Sequence, residues 1–447
     1  MSPPTPTSPP WWRVGPYDQE IWRLALPAFA TLVAEPLYVL ADTAVVGHLG
    51  TEQLAGLAAA TNILLTLFAI LIFLAYGTTA SVSRLLGADR QDEAARQAIQ
   101  GMWLALGIGL MVAVLGQVAA PTFLSWFGAE GAVLEHGLVY LRISLIGFPF
   151  LLVGLAGTGY LRGLQDTRTP LVVAVGTAVF NLVLELVLIN GLGFGIGASA
   201  LSTVLAQLIG AAVYLWAVGR SVRGFNVDWR PDVAAIRSLL VVGRDLMIRT
   251  ASLRGSFLIG AAVAARIGTD DLAAHQIAFE VWGFLALALD AVAIAAQAII
   301  GRYLGAGDTH EARRAGRRML EWGLAAGVLA ALAVLVSIPI LPAVFTEDSA
   351  VADLLRFLLL WVAISQPLNG VVFALDGILI GASDMSYLAL AMLASAVIFL
   401  PLAIGVAVAG LGIGWLWAAI TVFMTARGIG LLIRFLGPKW AIAGATR

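Results

Sequence analysis

Twelve stretches of the chain are apolar over about 20 residues or more, the length that an α-helix needs to cross a bilayer. Such stretches leave little choice of fold, because backbone N–H and C=O groups surrounded by lipid must be paired within helices or closed barrels. We place the helices at 21–47, 54–85, 94–118, 133–160, 169–190, 196–219, 240–267, 273–302, 312–341, 352–381, 386–409 and 412–436. The sequence therefore predicts an all-α polytopic membrane protein with twelve transmembrane helices.

Composition supports lipid as the solvent of these helices. The chain of 447 residues is 60% hydrophobic and 12% charged, about half the charged fraction of an ordinary soluble domain. A net charge of −1 indicates no affinity for nucleic acid, and the lack of cysteine excludes disulfides and thiolate metal sites. Residues 1–17 begin with a Pro/Ser/Thr-rich stretch, and we predict that they form a disordered cytoplasmic tail rather than a cleaved signal peptide.

The second half of the chain repeats the first at a constant offset. Gly50-Thr51 recurs as Gly268-Thr269, so the offset is 268 − 50 = 218 residues. Other matched pairs at this offset are Arg84 and Arg302, Gly87 and Gly305, Pro149 and Pro367, and Gly159 and Gly377. Six helices per half give both halves one orientation, so we predict two pseudo-symmetric six-helix bundles, 18–220 and 239–437, related by an axis along the membrane normal. Residues 221–238 form a cytoplasmic linker and 438–447 a cytoplasmic tail.

The distribution of arginine predicts the orientation. Connections after even-numbered helices carry arginines such as Arg90, Arg162, Arg230 and Arg313. Those after odd-numbered helices carry acids such as Glu130 and Asp348. Because cytoplasmic loops are enriched in basic residues, we expect both termini to be cytoplasmic. The predicted location is the inner, or plasma, membrane of the cell.

Acidic residues inside the membrane do not follow the repeat. At the offset of 218 residues Asp42 corresponds to Gly260, and Glu185 likewise has no acidic counterpart. A charge at bilayer depth costs about 3 kcal/mol, so such residues are functional candidates. Helix lengths place Asp42, Glu185 and Thr203 at a similar depth below the outer surface, and Asn181 lies one helical turn below Glu185 on the same face. Together they could take up H⁺ or bind Na⁺, although Asn181 and Thr203 could simply hydrogen-bond between helices.

A second group of residues could contact substrate or gate the pathway: Glu35, Tyr38, Arg249, Asp290 and Asp376. Asp290 lies mid-membrane. Asp376 lies near the inner mouth. It could either form a structural ion pair with Arg249 or contact the substrate. Pro27 and Pro36 interrupt the hydrogen bonds of the first helix, and we predict that they let it bend.

At these residues the sequence resembles the multidrug and toxic compound extrusion (MATE) family, in the branch named after DNA-damage-inducible protein F. The resemblance is carried by residues 24–27, 40–50, 244–249 and 375–377. It implies two six-helix bundles around a V-shaped central cavity, and export of organic cations or other amphipathic compounds in exchange for H⁺ or Na⁺, without a cofactor. The cation site of the family falls on Asp42, Asn181, Glu185 and Thr203, with Glu185 at a position where relatives carry aspartate.

Other functions fit the sequence less well. An exporter of organic acids such as citrate would turn Arg249 and Arg254 toward the cavity, and a flippase for lipid-linked precursors would carry a more cationic cavity and extra helices. Channels usually show repeated filter chemistry, whereas these polar residues are unpaired between halves. An enzyme is not expected, because no catalytic motif is found and the histidines lie apart at helix ends: His48, His136, His275 and His310. The expected partners are a small amphipathic substrate and the bilayer, with no nucleic acid, and we expect a monomer.

Overall fold

The computed structural model of this protein describes residues 15–225 and 227–446. Most of the predicted tail 1–17 therefore lies outside the described residues. The described part contains twelve helices long and apolar enough to cross a membrane and no strand, which confirms the predicted fold class. We number these helices α1 to α12: Asp18–Gly47, Thr51–Gly87, Gln91–Trp126, Gly131–Gly163, Arg168–Gly191, Ile196–Val222, Val233–Ile267, Thr269–Gly305, Thr309–Ser337, Ser349–Gly381, Met385–Val408 and Ile413–Leu436.

Three helices carry local irregularities. A turn at Ile72 divides α2 into Thr51–Leu71 and Phe73–Gly87, and α5 ends in a π-helical turn, Val187–Gly191. The ninth helix ends at Ser337, earlier than predicted, and a short helix, Leu341–Phe345, follows it. Pro342 lies in the first turn of that short helix, where a missing N–H costs nothing.

The same helices pack together in each half. In the first half α4 packs against α2, α3 and α6, and α1 packs against α5. In the second half the equivalent contacts join α10 to α8, α9 and α12, and α7 to α11. The duplicated glycines explain part of this agreement, because they make the same close helix crossings. A Cβ on Gly159 would lie 2.5 Å from the Ala75 carbonyl oxygen, and one on Gly377 would lie 2.4 Å from that of Ala293.

The two halves meet at one end of α2 and α8. A Cβ on Gly87 would lie 1.9 Å from the Arg302 carbonyl oxygen, and a Cβ on Gly305 would lie 2.0 Å from the Arg84 carbonyl oxygen. These contacts are reciprocal between equivalent residues, so the pseudo-twofold axis passes between them. The face of the molecule at this end carries both described ends of the chain, and we call it the inner face.

The segment after α12 closes this face, and we call residues 437–446 the inner clasp. Its Trp440 is fully buried. Arg84 from the first half donates to the carbonyl oxygens of Ile442 and Gly444, at 2.8 and 3.1 Å. The Gly444 N–H donates to the Leu304 carbonyl oxygen of the second half at 2.9 Å. The inner clasp therefore bonds to both halves across the axis.

The connection between the halves is fixed to α3. The Gln100 side chain donates to the Arg230 carbonyl oxygen at 2.9 Å and accepts from the Asp232 N–H at 2.7 Å. The Asp232 carboxylate also caps α7, accepting from the N–H groups of Ala235 and Ala234. These backbone donors hold the pKa of Asp232 below its usual value.

Candidate cation and substrate site

Two buried carboxyl groups lie side by side in the first half. Asp42 of α1 is 4% exposed and Glu185 of α5 is fully buried. The Ser199 hydroxyl of α6 donates to Asp42 Oδ1 at 2.5 Å. The Asp42 carboxyl is near enough to Glu185 for the two groups to interact electrostatically. Neither oxygen of Glu185 has a hydrogen-bond partner among the described residues.

This pair cannot hold two negative charges cheaply. Ionised carboxylates in contact repel each other, and burial removes the water that would screen them. A proton or a cation between Asp42 and Glu185 would remove both costs. The arrangement is therefore a candidate site for a coupling ion.

Hydroxyl and amide groups line one side of the pair. The Tyr38 and Thr203 hydroxyls are 2.6 Å apart, and the Asn181 amide donates to Thr203 Oγ1 at 3.0 Å. Asn181 Oδ1 is buried without a partner among the described residues. The structure thus brings the four predicted site residues together and adds Tyr38, which the sequence suggested only as a substrate or gating contact.

Short local features position these side chains. Asn181 and Glu185 lie one helical turn apart on α5 and therefore share a face. A tight loop joins α5 to α6, with Gly193 at a φ of 73°, so the outer ends of these helices lie side by side. On α6, Ser199 precedes Thr203 by one turn. That spacing was the signal by which the sequence could have identified Ser199 as a site residue.

The site opens into a cavity of about 360 Å³ formed by helices of the first half. Asp42, Asn181, Thr203, Tyr38 and the exposed Glu35 contribute polar groups to its lining. Most of the remaining wall is apolar and includes Leu32, Leu64, Leu65, Phe68, Phe150 and Leu151. A concave apolar wall with a few fixed polar groups suits a small amphipathic molecule.

The charged residues of the second half are engaged with one another. Arg249 donates to Asp376 Oδ2 at 2.5 Å, and Arg427 of α12 donates to the same oxygen. All three side chains are nearly buried. Of the two possibilities left open for Asp376, the structure shows the ion pair with Arg249. The contribution of Arg427 was missed, because rotation of α12 about its axis cannot be read from the sequence.

Asp290 lies where the halves meet, and the two prolines lie in a helix that touches both halves. The Tyr76 hydroxyl of α2 donates to Asp290 of α8 at 3.1 Å, across the interface. Pro27 and Pro36 both lie inside α1, which packs against α8 of the second half and α5 of the first. Asp290 therefore contributes to contact between the halves, and α1 touches both of them.

Comparison with known proteins gives matches along almost the whole chain. The MatE family model matches residues 27–187 and 246–404, one match in each half. DNA damage-inducible protein F of Escherichia coli (strain K12) is 31% identical over 434 residues, covering 93% of this chain and 91% of the relative. Protein DETOXIFICATION 44, chloroplastic, of Arabidopsis thaliana is 31% identical over 428 residues, covering 93% of this chain and 81% of the relative.

Solved structures agree with the fold. A crystal structure of MATE in the straight conformation superposes with a TM-score of 0.85, and one in the bent conformation with a TM-score of 0.86. Each is 20% identical and covers 94% of this chain and 96% of the solved chain. At this identity the likeness concerns the fold.

Proposed function

This chain belongs to the MatE family, and we propose that it exports amphipathic organic cations in exchange for protons by alternating access of its two halves. The resemblance read from the sequence is confirmed. Family members are transporters, so the chain is a multi-pass membrane transporter and not an enzyme. Substrate class, coupling ion and mechanism are the proposed part.

The contact between Asp42 and Glu185 carries this proposal. A single proton shared by the two carboxyl groups would supply the donor that Glu185 lacks among the described residues. Loss of that proton leaves negative charge beside the cavity, where it attracts an organic cation. Proton and substrate then compete for one acidic site, which is the condition for exchange rather than co-transport.

The arrangement of this pair favours H⁺ over Na⁺. Glu185, Asn181 and Asp42 supply enough oxygen atoms for Na⁺, but that ion must be surrounded by several oxygen atoms at once, whereas two neighbouring carboxyl groups can share one proton. A proton occupies the site without moving them. We propose H⁺ as the coupling ion, with no cofactor.

Export of organic anions is the second candidate, and it depended on free arginines. Arg249 is nearly buried, bonds to Asp376 and does not line the cavity, so it is not placed to bind a substrate such as citrate there. Arg254 is exposed on α7. The pairing of Arg249 is why the cation exporter is preferred. We further propose that both termini are cytoplasmic, in the plasma membrane, and that the transporter acts as a monomer.

The test is transport in proteoliposomes with pH and sodium gradients imposed separately, using ethidium and citrate as probes. We expect a pH gradient alone to drive ethidium movement, and Asp42→Asn to abolish it while the protein still elutes as a folded monomer. Asp353→Asn, at an exposed carboxylate paired with Arg356, is the matched control and should keep full activity. Ethidium transport driven by sodium alone, or undiminished in Asp42→Asn, would overturn the proposal.

A further inference from the structure

We propose that Arg162, at the inner end of the first-half cavity, binds the anionic group of a substrate, so that the transporter accepts zwitterionic amphiphiles whose cationic end faces Asp42. This inference rests on the proposed function and extends its substrate class. The sequence offered Arg162 only as one of the inner arginines that set orientation.

The guanidinium of Arg162 is enclosed but unpaired. Arg162 is the second-last residue of α4 and is 7% exposed, and its side chain lines the cavity. Among residues 15–225 and 227–446 it has no hydrogen-bond or ion-pair partner. A buried guanidinium without a partner is costly, and a ligand carboxylate or phosphate would satisfy it with paired charge-assisted hydrogen bonds.

Neighbouring groups do not supply the missing anion. The Tyr76 hydroxyl donates to Asp290, and Tyr214, which also lines the cavity, carries a hydroxyl and not an acid group. Asp290 interacts electrostatically with Arg162, Arg249 and Arg427, but it forms no ion pair with any of them among the described residues.

The charged side chains near Arg162, at the inner end of the cavity, do not sum to zero. The three guanidiniums Arg162, Arg249 and Arg427 face two carboxylates, Asp290 and Asp376, which leaves an excess of 3 − 2 = 1 positive charge. That excess can be neutralised by one anionic group from a ligand.

An anchoring role at the membrane surface does not explain this arginine. Lysine and arginine near helix ends usually extend into the headgroup layer and are exposed there. The α4 helix instead packs on both sides of Arg162 against α2, since a Cβ on Gly159 or Gly163 would clash with α2. The Arg162 side chain is therefore directed along the helix interface into the cavity rather than outward to lipid.

The cavity consequently has opposite charge at its two ends. Asp42 lies toward the outer end of α1, whereas Arg162 lies at the inner end of α4. The lining runs from Thr61 to Tyr76 along α2, which makes the cavity about 20 Å long at ~1.5 Å per residue. Between the ends the wall is largely apolar. This pattern fits a molecule with a cation and an anion separated by an apolar body.

Binding of two matched compounds to the purified protein in nanodiscs tests the inference. The compounds are 12-aminododecanoic acid, a zwitterion, and its methyl ester, which lacks the carboxylate. We expect Arg162→Gln to weaken binding of the acid about tenfold or more, because a charge-assisted hydrogen bond is lost, and to leave the ester unaffected. Arg162→Lys should recover part of the affinity for the acid, and ester binding shows that each variant is folded.

The control is Arg220→Gln, at an exposed arginine over the Trp216 ring outside the cavity. It should change neither affinity. Equal effects of Arg162→Gln on both compounds, or no effect on either, would overturn the anionic subsite while leaving the cation exporter standing. Failure of the unaltered protein to bind either compound would also overturn the subsite, and the ethidium transport assay would decide separately whether the proposed function stands.

Discussion

At the scale of single residues, Glu185 is unusual because it is a fully buried acid. Nearly all buried polar atoms in proteins have a hydrogen-bond partner, yet both oxygens of Glu185 lack one among the described residues. The adjacent Asp42 is already bonded to Ser199. A bound proton would give this carboxyl group the hydrogen bond that it lacks. Glu185 is therefore part of the ion-binding step in our proposal.

Replacing Glu185 should therefore separate the binding of substrate from its coupling to proton release. Glu185→Gln supplies a permanent N–H donor toward Asp42, so we expect ethidium still to bind but without release of a proton. Glu185→Asp keeps the titratable group and should retain proton release. A pH-sensitive dye in weakly buffered solution measures protons released on ethidium addition. Undiminished release from Glu185→Gln would show that Glu185 is not part of the coupling site.

The sequence located part of this site and missed the rest for physical reasons. Asp42 and Glu185 could be identified because they lie at bilayer depth and have no acidic counterpart in the other half. The fold that the two halves share therefore does not require these carboxylates. Ser199 carries a common hydroxyl, which by itself signals nothing. Arg162 was predicted only as one of the arginines that indicate the orientation of the chain. A position near a helix end does not reveal whether a side chain points to water or to a cavity.

At the scale of elements, α1 is attached to a different half at each end. At its inner end the Asp18 carboxylate accepts from Arg318 and Trp322 of the second half, at 2.7 and 2.8 Å. Toward its outer end Tyr38 and Asp42 bond to α6 of the first half. Any rocking of one half against the other must therefore deform α1 or break one attachment.

Pro27 and Pro36 lie between these attachments, where they let the helix deform. Pro27→Ala restores a backbone hydrogen bond and favours the straight helix by up to about 3 kcal/mol. We expect the variant to be more thermostable and to export ethidium about tenfold more slowly or worse. Pro401→Ala removes a proline from α11 and is the control, with export unchanged. Normal export by Pro27→Ala would exclude bending at this position from the cycle.

At the scale of the whole molecule, the structure is closed at the inner face. The reciprocal approach of α2 and α8 at Gly87 and Gly305 leaves no room there even for a methyl group. The 218-residue repeat predicted that equivalent helices would pack alike. It could not predict which equivalent helices would meet across the axis, because that contact depends on the conformational state.

Filling this contact should shift the molecule toward the opposite state. Gly87→Ala or Gly305→Ala would place a Cβ within about 2 Å of a backbone oxygen, and overpacking of this kind costs about 1–3 kcal/mol. We expect each variant to open at the inner face more often. Gly107→Ala is the control, since a Cβ there meets no atom within 4 Å.

The absence of native cysteine makes this measurable. A cysteine introduced at Thr61, in the cavity wall, can be labelled with a membrane-impermeant maleimide. Labelling from the outer side should slow in both interface variants and stay unchanged in the control. Identical rates in all three would mean that the α2–α8 contact does not govern access.

The inner clasp also orders the biogenesis of this transporter. Residues 437–446 are translated after all twelve helices, so throughout membrane insertion Arg84 lacks two carbonyl partners that it later finds at Ile442 and Gly444. Vectorial synthesis therefore places the bonds of the clasp after the synthesis of the helices that it joins. The two halves are fastened together at this end only late in assembly.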